Sequence, residues 1–287
     1  MLQALEAGVQ KAIDTADELE SCMQQQARVL REEYFLEAEI AADMVNILVM
    51  VIRGVEITIQ PEPSEIKSPL EESFERGLSY YNNGDFNNAI VLFTEAIRLD
   101  PYYAWAYARR GDAYRKINQY DAAIKDFDTA IRLDQNYAFA YASRGSAYWE
   151  ISQYGTAFKD LDMAIRLDPN YAFAYASRGE AYRMKGHNDT AIKDLDTAIR
   201  LDPNYAFAYA CRGAAYRMKG RNDTAIVDFN AAIRLNPGYA FAYGSRGQAY
   251  DQLGREDLAI RDLEKAVSLD PDLKWAQRAL KRIAKKK

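Results

Sequence analysis

Cysteine and histidine are almost absent from this chain of 287 residues. The two cysteines, Cys22 and Cys211, cannot form a disulfide framework, and beside the lone His187 they cannot supply a zinc site. This scarcity favours a reducing, cytoplasmic compartment and argues against metal chemistry based on cysteine and histidine. We therefore expect neither a metal nor another cofactor.

Long apolar runs are lacking as well. No stretch approaches the roughly 20 apolar residues of a membrane-spanning helix, and residues 1–11 lack the basic and apolar regions of a signal peptide. The chain is nevertheless 49% apolar and 28% charged, which is ordinary for a globular protein. We expect a protein with a sizeable core and without a membrane span.

The net charge of -5 conceals three unlike segments. Residues 1–69 carry 5 basic and 13 acidic side chains, residues 70–273 carry 25 and 29, and residues 274–287 carry 7 basic and no acidic ones. An acidic head, a near-neutral body and a basic tail are therefore separable. Such asymmetry can indicate interaction segments, but it does not identify the partner.

Proline is scarce and its placement divides the chain. Because helices tolerate proline only near their starts, the group Pro61, Pro63 and Pro69 predicts a linker over residues 61–69. The other five prolines are spaced by 34 residues or a multiple of 34: Pro101, Pro169, Pro203, Pro237 and Pro271. Their spacing predicts six 34-residue units: 70–103, 104–137, 138–171, 172–205, 206–239 and 240–273.

Each unit reads as a helical hairpin. Its eighth residue is glycine and its eleventh is tyrosine, and small residues recur at the twentieth and twenty-seventh places, as in Ala191 and Ala198. Spacings of three, four and seven put these residues on one helical face. A glycine inside a helix costs up to about 1 kcal/mol relative to alanine, so Gly179 and its equivalents are expected where two helices touch.

Residues 70–273 resemble the tetratricopeptide repeat family in this period and in the Gly-Tyr-Ala-Phe-Ala-Pro pattern. The departures are small, such as Gln135 in place of proline. The resemblance implies an all-α, right-handed solenoid of helical hairpins. Residues 274–287 have helical spacing and are expected to form the basic helix that caps it.

An arginine occupies the seventh place of every unit, where the family usually has leucine. These residues are Arg76, Arg110, Arg144, Arg178, Arg212 and Arg246. A charge repeated at one internal place is most simply explained by a repeated internal contact. We expect pairing with Asp126, Asp160, Asp194, Asp228 or Asp262. Paired carboxylates such as Asp126 and Asp128 also indicate a solvated helix face, so both interpretations of Asp126 stay open here.

The resemblance implies that the first helix of each unit lines a concave groove. The candidate partner-binding residues are Trp105, Phe139, Phe173, Phe207, Phe241, Arg115, Trp149, Arg183, Arg217, Met184 and Met218. At the fifth place Ala108, Ala142, Ala176, Ala210 and Gly244 are small enough to let a ligand approach. The alternative is that the aromatic residues pack on the neighbouring repeat.

The expected function is a non-catalytic scaffold or adaptor that binds a peptide or helical segment of a protein in this groove. The lysines and asparagines with which some family members grip acidic chaperone tails are mostly missing from the fifth, sixth and ninth places. The alternative function is RNA or anion binding through the groove arginines and the basic tail, although the charge of the body counts against nucleic acid.

No catalytic constellation can be assembled, so an enzyme is not expected. His187 falls in a turn between helices, where it is most simply solvated, and Cys211 stands where other units have serine. The glycines are dispersed at repeat intervals, and neither the dinucleotide nor the phosphate-loop pattern occurs.

The head, residues 1–60, is not a repeat. Apolar residues at alternating spacings of three and four over residues 2–30 predict a helix with a narrow apolar seam. This seam is expected either to mediate self-association or to dock on the body. A second helical stretch follows, and residues 47–60 read as a short strand or hairpin. In the tail, Lys285 to Lys287 are either the end of the cap or a contact for anionic partners.

Overall fold

A computed structural model describes residues 67–284 of the chain. The predictions for the head, for residues 61–66 of the linker and for Lys285 to Lys287 fall outside the described residues. Within residues 67–284 the chain is helical and has no strand. No helix among these residues is long and apolar enough to cross a membrane.

In the described part of the chain, twelve helices pair in chain order into hairpins, and a thirteenth follows them. The first helices of the hairpins are α1 (Pro69–Asn82), α3 (Ala104–Lys116), α5 (Ala138–Glu150), α7 (Ala172–Met184), α9 (Ala206–Met218) and α11 (Ala240–Gln252). The second helices are α2 (Phe86–Leu99), α4 (Tyr120–Leu133), α6 (Tyr154–Leu167), α8 (Asn188–Leu201), α10 (Asn222–Leu235) and α12 (Glu256–Leu269). The last helix is α13 (Lys274–Ala284).

Helix α1 starts one residue before the predicted first unit. Pro69 occupies its first turn, where the missing N–H costs nothing. The side chain of Ser68 accepts a hydrogen bond from the backbone N–H of Glu71, and the carboxylate of Glu71 accepts one from the backbone N–H of Ser68. The hydrogen bonds from Ser68 hold the pKa of the Glu71 carboxyl below its ordinary value. This reciprocal cap fixes where the helical body begins.

Each hairpin turns on one residue in the left-handed backbone region. The residue is glycine in four hairpins, for example Gly186 with φ 81°, but Asn118 and Ser152 adopt φ 61° and 63° in the other two. Left-handed backbone is strained for side chains with a Cβ. The turn geometry is therefore set by the helix packing rather than by glycine alone.

The eighth-place glycines lie where the two helices of a hairpin touch, as the sequence predicts. A Cβ on Gly179 would stand 2.8 Å from Cγ of Leu195 and 3.2 Å from the carbonyl oxygen of Ala191. The same contact recurs as Gly77 with Phe93, Gly111 with Phe127, Gly145 with Leu161, Gly213 with Phe229 and Gly247 with Leu263. The facing Phe or Leu side chains are fully buried, so each hairpin has its own small core.

Successive hairpins are joined by short loops that follow the second helices. The side chain of Asp168 accepts a hydrogen bond from the backbone N–H of Asn170 at 2.9 Å, which closes the loop without further structure. Asp134 makes the equivalent bond to Asn136 at 2.9 Å, although Gln135 replaces proline between them. The departure from the family pattern at Gln135 therefore leaves the loop unchanged.

The seventh-place arginines form an arginine ladder, defined here as Arg110, Arg144, Arg178, Arg212 and Arg246. The guanidinium of Arg144 donates to both carboxylate oxygens of Asp160 in its own hairpin, at 2.7 and 2.8 Å, and to Asp128 of the preceding hairpin at 2.5 Å. Bidentate, charge-assisted hydrogen bonds of this kind are stronger than bonds between neutral groups. The other ladder arginines repeat this geometry, with Thr94 or Asn230 as the third partner at the two ends.

The ladder confirms the predicted arginine–aspartate pairs and corrects one expectation. Asp126 is not on a solvated helix face, because it is buried against the guanidinium of Arg110. Arg76 stands outside the ladder. Leucine occupies position 92, where later hairpins have the aspartate, and Arg76 pairs with the exposed Glu72 on its own helix at 3.4 Å.

Helix α13 closes the solenoid as the sequence predicts. Ala276, Ala279 and Ile283 are buried against α12. The ring of Trp275 covers Gly244, where an added Cβ would meet the indole at 2.5 Å. Trp275 stands at the place where earlier units have their second-place aromatic residue. With this side chain the cap covers the open face of the last hairpin.

The glycine contact gives a first test. Gly179→Ala is expected to lower the free energy of unfolding by about 1–3 kcal/mol, because its Cβ overpacks the contact with Leu195. The control is Gly155→Ala, also within a helix, where nothing lies within 4 Å of the added Cβ. Chemical denaturation followed by circular dichroism compares them. Equal loss of stability in both variants would contradict the packing explanation.

The ladder gives a second test. Arg178→Met leaves the half-exposed Asp162 and the nearly buried Asp194 without their cation, and we expect a loss of about 2–4 kcal/mol in unfolding free energy. Arg76→Met removes the same residue type at the same place, but its exposed pair with Glu72 is worth about 0.5 kcal/mol at most. Similar melting temperatures for the two variants would show that the ladder does not hold the hairpins together.

Candidate functional site

One groove of about 440 Å³ is lined only by first helices and by the loops that precede them. Its walls include Tyr81 of α1, Arg115 of α3, Phe139 of α5, Phe173 of α7 and Tyr205 at the start of α9. No residue of a second helix proper contributes to it. The groove thus spans the first helices α1, α3, α5 and α7 and the loop before α9, on the face that the family resemblance assigns to ligand binding. The candidate residues that line it are Arg115, Phe139 and Phe173.

The second-place phenylalanines are half-buried, because each ring packs on the hairpin before it. Phe207 shares a cluster with Ala176, the fifth-place residue of the preceding first helix. Phe139 packs in the same way with Ala108, Phe173 with Ala142 and Phe241 with Ala210. The sequence led us to expect that the small fifth places are open to a ligand, and this expectation was wrong. The fifth-place alanines are fully buried and covered by the next hairpin.

Trp105 differs from the other members of this row. The fifth place of the first hairpin holds Phe74, which packs edge-on against Tyr103 at 5.0 Å and fills the space that alanine leaves elsewhere. The indole of Trp105 stacks instead on Tyr137, with ring centres 6.2 Å apart, and 55% of the residue is exposed. Trp105 is thus the aromatic residue of the row that is most open to a partner.

A column of tyrosines was missed by the sequence interpretation. Tyr137, Tyr171 and Tyr205 stand in the loops just before the first helices, at the last place of each unit, and the last two line the groove. Burial raises the pKa of Tyr137 to about 12 and raises that of Tyr171 and Tyr205 as well. The signal was present, since tyrosine recurs there every 34 residues, but it reads equally well as a packing residue.

Two of the three candidate arginines, Arg115 and Arg183, are engaged within the protein. Arg115 is buried between Asp112 and Glu150, at 2.7 and 2.8 Å, and Tyr81 donates a hydrogen bond to the same Asp112. Burial opposes ionisation of Asp112, but Arg115 and Tyr81 more than offset it, so the pKa of its carboxyl lies below the ordinary value. Arg183 forms two hydrogen bonds to Glu180, at 2.6 and 2.7 Å.

Arg217, the third candidate arginine, has no carboxylate partner among residues 67–284. Its Nε is buried without an acceptor, and burial together with the charge of Arg183 lowers the pKa of its guanidinium.

The other candidate residues offer apolar surface. Met184 follows Arg183 and Met218 follows Arg217 in the sequence. The two methionines are 49% and 57% exposed, so they offer adaptable apolar surface. Trp149 is half-buried, and its Nε1 also finds no acceptor.

The remaining reactive side chains that the sequence analysis singled out in the described part of the chain are His187 and Cys211. His187 is exposed at the start of α8, where its ring meets that of Tyr182 edge-on at 6.4 Å. Cys211 is buried, and burial raises the pKa of its thiol well above the ordinary value, which disfavours the nucleophilic thiolate. No group of three or more histidine, cysteine, aspartate or glutamate side chains in the described part of the chain is placed to hold a metal ion.

The aromatic row gives a third test, in which two residues at the same place of the repeat are expected to behave differently. Phe207→Ala uncovers Ala176 and is expected to lower unfolding free energy by about 2–4 kcal/mol. Trp105→Ala removes a side chain that is mostly in water, and we expect a change below about 1 kcal/mol. Thermal and chemical unfolding measure both. If Trp105→Ala is the more damaging variant, the assignment of core and groove within the row is wrong.

Comparisons with known proteins agree with this architecture. A family model described as TPR repeat matches residues 77–117, 111–152, 179–220 and 213–254. Two models described as tetratricopeptide repeat match residues 240–273 and 161–193. A search of curated proteins finds no match.

Solved structures extend the likeness. The APC/C hetero-tetramer Cut9-Hcn1 superposes with a TM-score of 0.68 at 18% identity, covering 98% of this chain and 59% of that one. A tetratricopeptide repeat protein from Parabacteroides merdae gives 0.62 at 18% identity, covering 98% and 99%. MamA is 31% identical over 58% of this chain and 92% of its own, with a TM-score of 0.46. The repeat pattern, the fold and the family models agree, and the chain belongs to the tetratricopeptide repeat family of protein-interaction scaffolds.

Proposed function

We propose that the groove binds a peptide-like segment of a partner protein, extended or helical, and that the chain works as a non-catalytic adaptor. The observation that carries this proposal is the exposed apolar surface on the first helices. Trp105, Met184 and Met218 lie on first helices and leave about half of their surface in water. Tryptophan is among the residues that contribute most to binding at interfaces, and methionine adapts to varied partners.

The groove also offers polar groups for a peptide backbone. Tyr171 and Tyr205 line its wall, and neither hydroxyl makes a hydrogen bond to another of the described residues. A phenol can donate to a carbonyl and accept from an amide N–H. Aromatic walls with free hydroxyls therefore suit an occupant that has both apolar side chains and an unpaired backbone.

The distribution of charge disfavours the alternative of RNA binding. Arg115 and Arg183 are neutralised by Asp112, Glu150 and Glu180, so they have little charge left to release counterions from a phosphate backbone. Of the three candidate arginines, only Arg217 has no acidic partner among residues 67–284. Arg115 and Lys116 are the cations that line the groove, whereas a nucleic-acid site typically clusters several unpaired ones.

The test selects a peptide and then maps where it binds. A display library of random 15-residue peptides is selected on the full chain, and the affinity of an enriched peptide is measured by fluorescence anisotropy. Trp105→Ala is expected to weaken binding about tenfold or more, since buried aromatic residues at interfaces commonly contribute about 2 kcal/mol or more. Val227→Ala, which changes an exposed apolar residue of the second helix α10, is the matched control and is expected to bind like the unmodified protein.

Two outcomes would overturn the proposal. One is that no peptide is enriched over a selection on an unrelated repeat protein. The other is that enriched peptides bind Trp105→Ala normally and lose affinity for Val227→Ala, which would place the partner surface on the second helices.

A further inference from the structure

The charged side chains that line the groove cancel one another. They are Asp112, Arg115, Lys116 and Asp202, which are two acids and two bases. Asp112 and Arg115 are already paired with each other at 2.7 Å. A strongly charged segment therefore meets no net charge of opposite sign here, and electrostatic complementarity favours an uncharged occupant.

The side chains in the groove that are free to form hydrogen bonds are donors. The hydroxyls of Tyr171 and Tyr205 and the amine of Lys116 line the groove, and none of them makes a hydrogen bond to another of the described residues. Burial raises the pKa of both tyrosines, so they keep their protons at neutral pH. A phenol can accept as well as donate, whereas a lysine amine that carries its proton only donates.

The carboxylates that line the groove are engaged within the protein. Asp112 accepts hydrogen bonds from the hydroxyl of Tyr81 and from the guanidinium of Arg115. Asp202 accepts the backbone N–H of Asn204 at 2.9 Å through one of its oxygens and so closes the loop before α9. The groove thus offers more donors than acceptors to a ligand. It favours a backbone that presents carbonyl groups and few N–H groups.

Proline is the residue with that backbone. It has a carbonyl group but no N–H, whereas every other residue brings an N–H that loses its water when the segment is laid against the groove. A buried donor without a partner is costly. Proline-rich segments form the polyproline II helix, which has no internal hydrogen bonds and leaves all its carbonyl groups available.

The aromatic walls fit the same conformation. Phe139, Tyr171, Phe173 and Tyr205 line the groove, and the rings of Tyr171 and Phe173 lie 5.8 Å apart at 45°. Aromatic grooves are a common way of binding polyproline II segments. Such a segment advances about 9 Å in each turn of three residues. First helices of successive hairpins contact one another, and packed helices lie about 8–10 Å apart, so each turn would meet the next hairpin.

We propose that the groove binds a proline-rich segment in the polyproline II conformation, an inference that rests on the proposed function and names the class of partner. The proline rings pack on the aromatic side chains, and the backbone carbonyls accept hydrogen bonds from Tyr171, Tyr205 and Lys116. The fixed backbone of proline also lowers the entropy lost on binding. A helical segment fits less well, because its backbone groups are paired internally and leave these donors unused.

Binding is tested with two neutral peptides of equal length. One contains nine prolines, the other alternates glycine and serine, and both carry an N-terminal fluorescein and a C-terminal amide. Each is titrated with the full chain and followed by fluorescence anisotropy. We expect the proline peptide to bind about tenfold more tightly or better. Equal affinity for the two peptides, or no binding of the proline peptide at millimolar protein, would overturn the proposal.

The hydroxyls are tested by Tyr171→Phe combined with Tyr205→Phe, which removes two donors and keeps both rings. Since these hydroxyls have no internal partner, the melting temperature should not change, and the proline peptide should bind about tenfold more weakly. Tyr80→Phe is the matched control, because Tyr80 is an exposed tyrosine of α1 that does not line the groove. It is expected to bind like the unmodified chain. Equal affinities for the double variant and the control would overturn the proposal.

A second variant keeps the test decisive if the double variant is less stable than expected. Lys116→Met removes the third donor and leaves a side chain of similar length on the surface of α3. We expect it to weaken binding of the proline peptide severalfold and to leave binding of the glycine–serine peptide as it is. Unchanged binding of the proline peptide would contradict the role of these donors.

Peptides selected by display separate this inference from the proposed function. Enriched peptides that contain proline and lose affinity for the double tyrosine variant would support both. Enriched peptides without proline that depend on Trp105, together with a proline peptide that does not bind, would leave the proposed function standing and reject the inference. If no peptide is enriched and the proline peptide does not bind, both fail.

Discussion

The stacking of the hairpins depends on the arginine ladder. Each ladder arginine reaches an acid in its own hairpin and a polar group in the preceding one, so one guanidinium fixes the distance between two second helices and the orientation of a first helix. Repeat proteins are held by nearest-neighbour contacts alone. Each arginine is anchored by two hydrogen bonds in its own hairpin and donates one across the junction. This repeated, directional contact holds neighbouring hairpins in the register in which the second-place aromatic rings cover the small fifth places. The apolar contacts then supply most of the stabilisation, since burial of apolar surface is the main favourable contribution to folding.

Much of this fold could be predicted from the sequence, because the 34-residue period can be read directly from the recurring residues. Gly179 and Leu195 are 16 residues apart in a hairpin, and helical spacing alone puts them face to face. The pairing of Arg178 with Asp194 also lies within one unit. These contacts are local, and local contacts follow from periodicity.

Contacts between units were harder to predict. Ala176 is small, and a small residue on a groove-facing helix reads as room for a ligand until the ring of Phe207 in the next hairpin is seen to cover it. Which side chain fills a space between hairpins depends on how the hairpins stack. The sequence pattern within one hairpin does not specify this stacking. The lack of an acid beside Arg217 is the exception. Ala214 stands three residues before it, where Arg115 has Asp112 and Arg183 has Glu180, and that difference is visible in the sequence.

The contact between Trp275 and Gly244 determines how such an array can change in length. Inside the array each phenylalanine meets an alanine, so one hairpin is interchangeable with the next, and a duplicated or deleted 34-residue stretch restores the same junction. At the end a larger ring meets a residue with no side chain, and the indole would collide with alanine there. The terminal hairpin and its cap are thus matched to each other. A change in the number of interior hairpins would therefore alter the span of the groove and leave the junction between Gly244 and Trp275 as it is.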